Sequence, residues 1–200
     1  YLEDYGYLLE RIVLYATALG LGTCWLGGTF RKSGFARSIS LKDGEAIPAV
    51  IATGYSADRP GILDSIMRFG AGSKHRKRWE ELFFIGDFSS PMTGDSAGDY
   101  RVPIEMVRRA PSASNKQPWR IVRDRDRDNF HFILERTKNY YRNWKAVGME
   151  DLQRVDMGLA MHHFEAAAAE QGLKGAWTVD APELPLAEGE SEYIVTWKGL

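Results

Sequence analysis

The sequence predicts an α+β protein, on three observations. Two long segments carry apolar residues at helical spacing. Each is closed by a glycine and followed by a tryptophan and a strand-like run. Between them lies a pair of short apolar stretches joined by a charged turn, the pattern of a β-hairpin.

The first helix is expected from Tyr5 to Leu19, apolar at Leu8, Leu9, Ile12, Val13, Ala16 and Leu19, and stopped by the glycines of GLGTCWLGG. IPAVIATGY, Ile47 to Tyr55, is a continuous apolar run bounded by proline and glycine, which predicts a buried strand. GSKHRKRWEELFF then adds a basic cluster and a short amphipathic piece. SSPMTGDSAGD, Ser89 to Asp99, has the composition of an exposed connector and places a boundary between a first half, 1–88, and a second, 100–200, with 89–99 as the linker. The second half opens on the helix VPIEMVRRA, with Pro103 in its first turn. A turn leads into the strand WRIV, and DRDRD joins that strand to NFHFILER. A long helix from about Met149 to Gln171 is apolar at Val155, Leu159, Ala160, Phe164 and Ala168 and ends at Gly172. EYIVTWKG is the last strand.

The halves resemble each other. ALGLGTCW and EQGLKGAW match at Gly20 with Gly172, Leu21 with Leu173 and Trp25 with Trp177. At the same offset Gly6 meets Gly158 and Ala16 meets Ala168, and downstream AVIATG sits opposite YIVTWK. A helix, glycine stop, tryptophan and returning strand thus occur twice, which lets one chain imitate a two-subunit assembly.

The 26 basic and 27 acidic side chains give a formal charge of −1, so no chain-wide field favours nucleic acid, a membrane surface or an acidic substrate. The alternating charges from Asp124 onward neutralise themselves, a further argument against nucleic acid. Cys24 is the single cysteine, which excludes an internal disulfide and predicts a structural thiol in a reducing, cytoplasmic compartment. No apolar run reaches the length of a membrane span. The chain opens on Tyr1 instead of methionine, as expected of a processed product or a start inside a longer reading frame.

Hydrolytic and metal signatures are missing from the sequence. His162 and His163 are neighbours on a helix and point about 100° apart, so they are not the i, i+4 pair of a metal helix; one is expected to pack and the other to face solvent. His75 and His131 lack ligand-like companions in sequence, and no serine occupies a G-x-S-x-G elbow. GLG follows a helix instead of a strand, so it is not a dinucleotide-binding fingerprint.

Three stretches remain as candidate sites. RRAPSASNKQPWRIV crowds Ser112, Ser114, Asn115 and Gln117 beside Trp119 and Arg120; it reads either as a capped entry turn or as a donor set for a polar heterocycle. TCWLGG offers Gly27 and Gly28, where a ligand could approach the backbone closely. SKHRKRW, Ser73 to Trp79, is either a solvated surface or a phosphate clamp built on Arg76, Lys77 and Arg78.

Taken together these stretches resemble the FMN-dependent nitroreductase family, in the branch that fuses two family-like halves in one chain. APSASNKQPW resembles the family's A-P-S-x-x-N-x-Q-P-W signature at Ala110, Pro111, Ser112, Asn115, Gln117, Pro118 and Trp119. The first helix with its glycine-tryptophan turn, and its second copy VDMGLAMHHFEAAAAEQGLKGAW, extend the similarity over nearly the whole chain.

The resemblance implies a nitroreductase-like fold, with a mostly antiparallel central sheet flanked by long helices, and a monomer that acts as a pseudo-dimer. It implies FMN as cofactor, with Pro111, Ser112, Asn115 and Gln117 lining the pocket from the second half. Leu26 and Gly27 would approach the reactive ring edge, and Arg76 and Lys77 would meet the phosphate. It also implies NAD(P)H as electron donor and a small-molecule acceptor, a nitroaromatic, a quinone or a relative, with at most one flavin per chain. The family's opening R-x-S-x-R segment, which grips phosphate and ribityl chain in its members, has no counterpart in the sequence. The rival expectation is a flavin or small-ligand binder without turnover, or a truncated homologue without cofactor.

Overall fold

The structure, a computed structural model, describes residues 1–28, 30–55, 75–146 and 148–200. Two long helices, α1 (Leu2–Ala18) and α6 (Leu152–Glu170), cross at the centre. Helix α1 is followed by β1 (Gly22–Leu26), α2 (Lys32–Ser38) and β2 (Val50–Gly54), and β1 and β2 form a separate antiparallel pair. A short helix α3 (Trp79–Leu82) runs directly into β3 (Phe83–Ile85) and β4 (Asp87–Pro91). A 3-10 turn at Gly98–Tyr100 then leads into α4 (Arg101–Arg109), and β5 (Trp119–Arg123) and β6 (Asn129–Glu135) form the expected hairpin. After α5 (Tyr140–Lys145) and α6 come β7 (Gly175–Thr178) and β8 (Ser191–Gly199). Among the described residues the main sheet has six strands in the order β4-β3-β5-β6-β8-β7, antiparallel throughout except for the β3–β5 pair.

Helix α6 lies between this sheet and α1, and the sandwich explains why it is buried on almost every side instead of along one stripe. Toward the sheet, Met157, Ala160, Phe164 and Ala168 pack on Phe130, Phe132, Val195 and Trp197. Tyr100, Phe130, Phe132, Phe164, Trp177 and Trp197 form a continuous aromatic cluster, with neighbouring centroids 4.5 to 6.1 Å apart. Helix α4 adds Ile104 and Val107 to the same core.

Toward α1 the contact is reciprocal. A Cβ on Gly6 would collide with the carbonyl oxygen of Val155, and a Cβ on Gly158 with that of Glu3. The two pairs are related by the offset that aligns the halves in sequence, so each helix presents a glycine to the same point of the other. Each helix also carries a carboxylate that ties its own half's tryptophan to the opposite helix. Glu10, buried to 1% exposure, accepts from Trp25 Nε1 at 2.9 Å and lies 2.9 Å from His163 Nε2. Glu165 accepts from Trp177 Nε1 at 2.6 Å and from the Tyr7 hydroxyl at 2.7 Å. The surroundings differ: Leu8, Ile12 and Tyr15 of α1 are exposed, whereas their counterparts Ala160, Phe164 and Ala167 of α6 are buried.

Several expectations need correction. The stretch expected as an exposed connector contains the end of β4, and Met92 and Ala97 belong to the main core, so β3 and β4 join the sheet of the second half. Polar DFSSP forms a sheet-edge strand, where one ladder of hydrogen bonds suffices and apolar alternation is not needed. The run ending in VIATG is a strand, but among the described residues it pairs only with β1 and is half-buried to exposed, not buried. Cys24 is exposed on β1 and packs in no core. Neither His162 nor His163 faces open solvent: His162 is buried edge-on to Tyr7, and His163 meets Glu10. His131 has companions that only the fold brings to it, Thr196 at 2.8 Å and Asp124 at 2.9 Å. Among the described residues no helix is long and apolar enough to cross a membrane, and no group of three or more His, Cys, Asp or Glu is placed to hold a metal ion.

Candidate functional site

The Pro111–Gln117 segment bridges α4 and β5. Ala110, ahead of a proline, takes an extended conformation and ends the helix. The chain then turns tightly: the Asn115 N–H donates to Ser112 O at 2.9 Å, and the Gln117 N–H to Ser112 Oγ at 2.9 Å. Three non-glycine residues within four positions, Ser114, Asn115 and Gln117, have left-handed backbones with φ of 49°, 53° and 48°. Each such residue costs about 1–2 kcal/mol, so the shape persists only because its surroundings impose it.

Two clamps impose it. On one side the Asp156 carboxylate oxygen Oδ1 accepts the Ala113 N–H at 2.9 Å. On the other, the strand-like residues 75–77 dock along the loop. Asn115 Nδ2 donates to His75 O at 2.8 Å, Arg76 Nη1 to Asn115 Oδ1 at 3.2 Å, and the Lys77 N–H to Gln117 Oε1 at 2.8 Å. Gln117 Nε2 returns to Asn115 O at 3.1 Å. The sequence-expected residues Ser112, Asn115, Gln117, Arg76 and Lys77 are therefore one bonded unit. Ser112, Asn115 and Gln117 spend these side-chain bonds on protein partners, and what the unit offers a ligand is its shape and its charge.

That charge is concentrated. Arg76 also donates to Arg109 O at 3.1 Å, and Arg108 Nη1 to Lys77 O at 3.4 Å. Burial, and then the neighbouring Arg120, lower the Lys77 ammonium; burial, and then Arg108, lower Arg76. Glu105 is the counterweight: bonds from Arg108 above all, with others from Arg109 and the Trp79 indole, draw its carboxyl down to about 2. Arg78, expected in the same clamp, turns instead to Glu81 as the cap of α3, with its side chain exposed. Ser73 and Lys74 of the basic run lie outside the described residues.

Leu26 and Gly27 come from the end of β1, and the turn they begin rests on the start of α6. A Cβ on Gly27 would meet Leu152 Cδ1 at 2.6 Å, and one on Gly28 would meet Met149 Cε at 2.8 Å. The ends of the Leu152 and Met149 side chains thus fill the space above both glycines, and a larger residue there would have to push them aside. Leu152 shares a small core with Trp25, Ala49, Met149 and Ala113. Through that core the glycine turn of the first half and the polar loop of the second meet on the first turns of α6. Pro111 is half-buried at the loop's beginning.

Asp156 was not marked by the sequence, where it reads as an ordinary acid in the first turns of a helix. It is 3% exposed, its Oδ2 has no hydrogen-bond partner, and burial pushes its carboxyl well above 3.8, with Asp151 adding to the rise. A folded-state value raised above the unfolded one contributes stability that is fully present below about 3.8 and is lost as pH rises through the folded value. Asp156→Asn keeps an oxygen for the Ala113 N–H and removes the titration. Urea unfolding between about pH 4 and 8 should show wild type losing stability relative to the variant as pH rises; parallel profiles would contradict the assignment.

Long paired helices packed on a mixed, antiparallel-rich sheet give the chain a nitroreductase-like α+β fold. A family model described as "Putative TM nitroreductase" matches residues 1–168, and the chain belongs to that family. Among solved structures, a crystal structure of a putative nitroreductase from Thermotoga maritima MSB8 is similar, with a TM-score of 0.59 and 20% sequence identity. The alignment covers 98% of this chain and 64% of that one, so the sequence spans about two-thirds of the relative's length. No curated protein matches the sequence.

Proposed function

We propose that the protein is an FMN-dependent oxidoreductase that moves reducing equivalents from NAD(P)H to a small organic acceptor such as a nitroaromatic or a quinone. The observation that carries this is the Ser112–Gln117 loop: three strained non-glycine residues, clamped from both sides, with Arg76 and Lys77 bonded to it. A turn that only connected α4 to β5 would not need to store such strain.

The residues fit a flavin mononucleotide in charge and in shape. Arg76 and Lys77 would hold the phosphate, each with its charged form disfavoured by burial and by neighbouring cations, so a dianion there relieves repulsion. Pro111, Ser112, Asn115 and Gln117 would shape the wall on one side, and Leu26 and Gly27 the apolar edge on the other. Bound FMN supplies two-electron redox chemistry, which relieves the protein of any need for a nucleophile or an acid–base pair. The chain's own part is to orient, to exclude water and to stabilise negative charge.

The site draws on both halves of the chain, and the reciprocal Gly6–Val155 and Gly158–Glu3 contacts support a monomer that packs as a pseudo-dimer. The division into halves 1–88 and 100–200, with 89–99 between them, belongs to this proposal, with β3 and β4 contributing to the sheet of the second because β3 pairs with β5. Turnover is tested by anaerobic titration of FMN-loaded protein with NADH or NADPH. The yellow band should bleach and return on addition of a nitroaromatic or quinone; a band that stays unchanged would leave only a passive binder.

A further inference from the structure

We infer that the cleft beside the Pro111–Gln117 loop, lined by Ser114, Lys116, Tyr140, Asn143 and Trp144, is a binding site for a small aromatic anion.

The cleft is open to solvent and offers about 330 Å³, at the low end of ligand pockets, which suits one ring system with a substituent instead of a whole dinucleotide. Its walls supply aromatic surface. Tyr140 and Trp144 stand edge to face with centroids 6.0 Å apart, and the Tyr140 hydroxyl is fixed 3.1 Å from Ser114 Oγ. Trp144 is 38% exposed, so its ring remains open for stacking.

Among the described residues no acid lines the cleft, although the buried Asp156 acts on Tyr140 from behind it. Lys116 extends over the Tyr140 ring, 5.9 Å from its centroid. In sequence, the stretch between Glu135 and Glu150 holds Arg136, Lys138, Arg142 and Lys145 and no acid at all, in a chain whose net charge is −1. Arg136 is committed to Asp151 and Glu192. Among the described residues, no carboxylate pairs with Lys116, Lys138, Arg142 or Lys145; Arg142 bonds to the Asn139 side chain, and Lys145 lies over the Tyr141 ring. Lys116, the cation of the lining, selects for a ring that carries an anion, and the basic stretch that supplies Tyr140, Asn143 and Trp144 raises the local concentration of anions. Asn143 adds an amide that can donate or accept at the ring's substituent.

Ser114 belongs both to this cleft and to the strained loop assigned to the flavin, so the cleft adjoins that loop. The cleft therefore receives the electron acceptor, a role that rests on the oxidoreductase proposal; the binding itself does not.

The test is calorimetric titration of the purified protein with 4-nitrobenzoate and with nitrobenzene. The carboxylate should bind about tenfold more tightly than the neutral ring at low salt, and added salt should shrink the difference. Lys116→Met should abolish most of the preference while keeping the wild-type melting temperature, and Trp144→Ala should weaken both ligands. Equal affinities, no binding of the carboxylate, or folded variants that bind as wild type would overturn the assignment. Protein that binds 4-nitrobenzoate but never FMN would sink the flavin proposal and leave this one standing, and the converse result would do the reverse.

Discussion

Gly158→Ala is expected to destabilise the protein by about 3 kcal/mol or more and to lower its melting temperature by roughly 6–12 °C. The added Cβ would fall on the Glu3 carbonyl oxygen and close to the Tyr7 nitrogen, both backbone atoms of a helix that no rotamer change can move aside. The only relief is to separate α1 from α6, which also stretches the Tyr7–Glu165 and His163–Glu10 contacts. Gly6→Ala should cost a comparable amount, because it meets the Val155 carbonyl in the reciprocal position. The double variant should lose less than the sum of the two, since the first substitution already parts the helices. Gly172→Ala is the control. Its Cβ would meet nothing, and only the left-handed backbone, φ +73°, opposes it, for about 1 kcal/mol. Thermal melts of the four proteins decide the matter: a Gly158→Ala protein as stable as the control would show that the helices do not cross here.

Gln117→Ala is the second large effect. The side chain is 3% exposed; its Oε1 takes the Lys77 N–H, and its Nε2 bonds to Asn115. Truncation leaves the Lys77 N–H without its partner, at about 1–3 kcal/mol, and loosens the 75–77 segment, which then holds the loop only through Asn115. With that bond gone, the left-handed strain at Ser114 and Asn115 is held only by the Asp156 and Asn115 contacts, and Lys77 shifts from the position assigned to phosphate. FMN affinity should fall at least tenfold, out of proportion to the change in melting temperature. Gln117→Glu separates shape from charge. It retains the acceptor for Lys77 but loses the donor to Asn115 and adds an anion beside the phosphate position, so affinity should fall with less loss of stability. Equal FMN affinity in wild type and both variants would remove the loop from the site.

The fold was legible where periodicity and punctuation agree. Both long helices are fixed by apolar spacing and glycine stops, and the Trp119–Glu135 hairpin by two apolar strands around a charged turn. Legibility fails where burial comes from distant partners. Polar DFSSP looks like a connector until β3 pairs with it, and Met92 and Ala97 seem too few to signal a core until α4 and the sheet close over them. The run through VIATG is as apolar as a buried strand, yet among the described residues it pairs with β1 alone and lies outside the main sheet.

The site divides in the same way. The polar loop and Arg76 were visible as unusual local compositions, but not that they bond to each other, because nearly forty residues separate them. Asp156 and the Tyr140–Trp144 cleft carried no local mark. One is an acid in a helix's first turns and the other an aromatic pair on a short helix, and each acquires meaning only beside Ala113 or Lys116.

The central claim is that the clamped loop, its cations and the glycine turn hold a flavin. It is tested most directly by titrating the purified protein with FMN while following its visible absorption and flavin fluorescence. Saturable binding of no more than one FMN per chain, with a shifted absorption band and quenched emission, is the predicted result. A protein that stays colourless, leaves FMN emission unchanged and is nonetheless folded by its melting curve would contradict it.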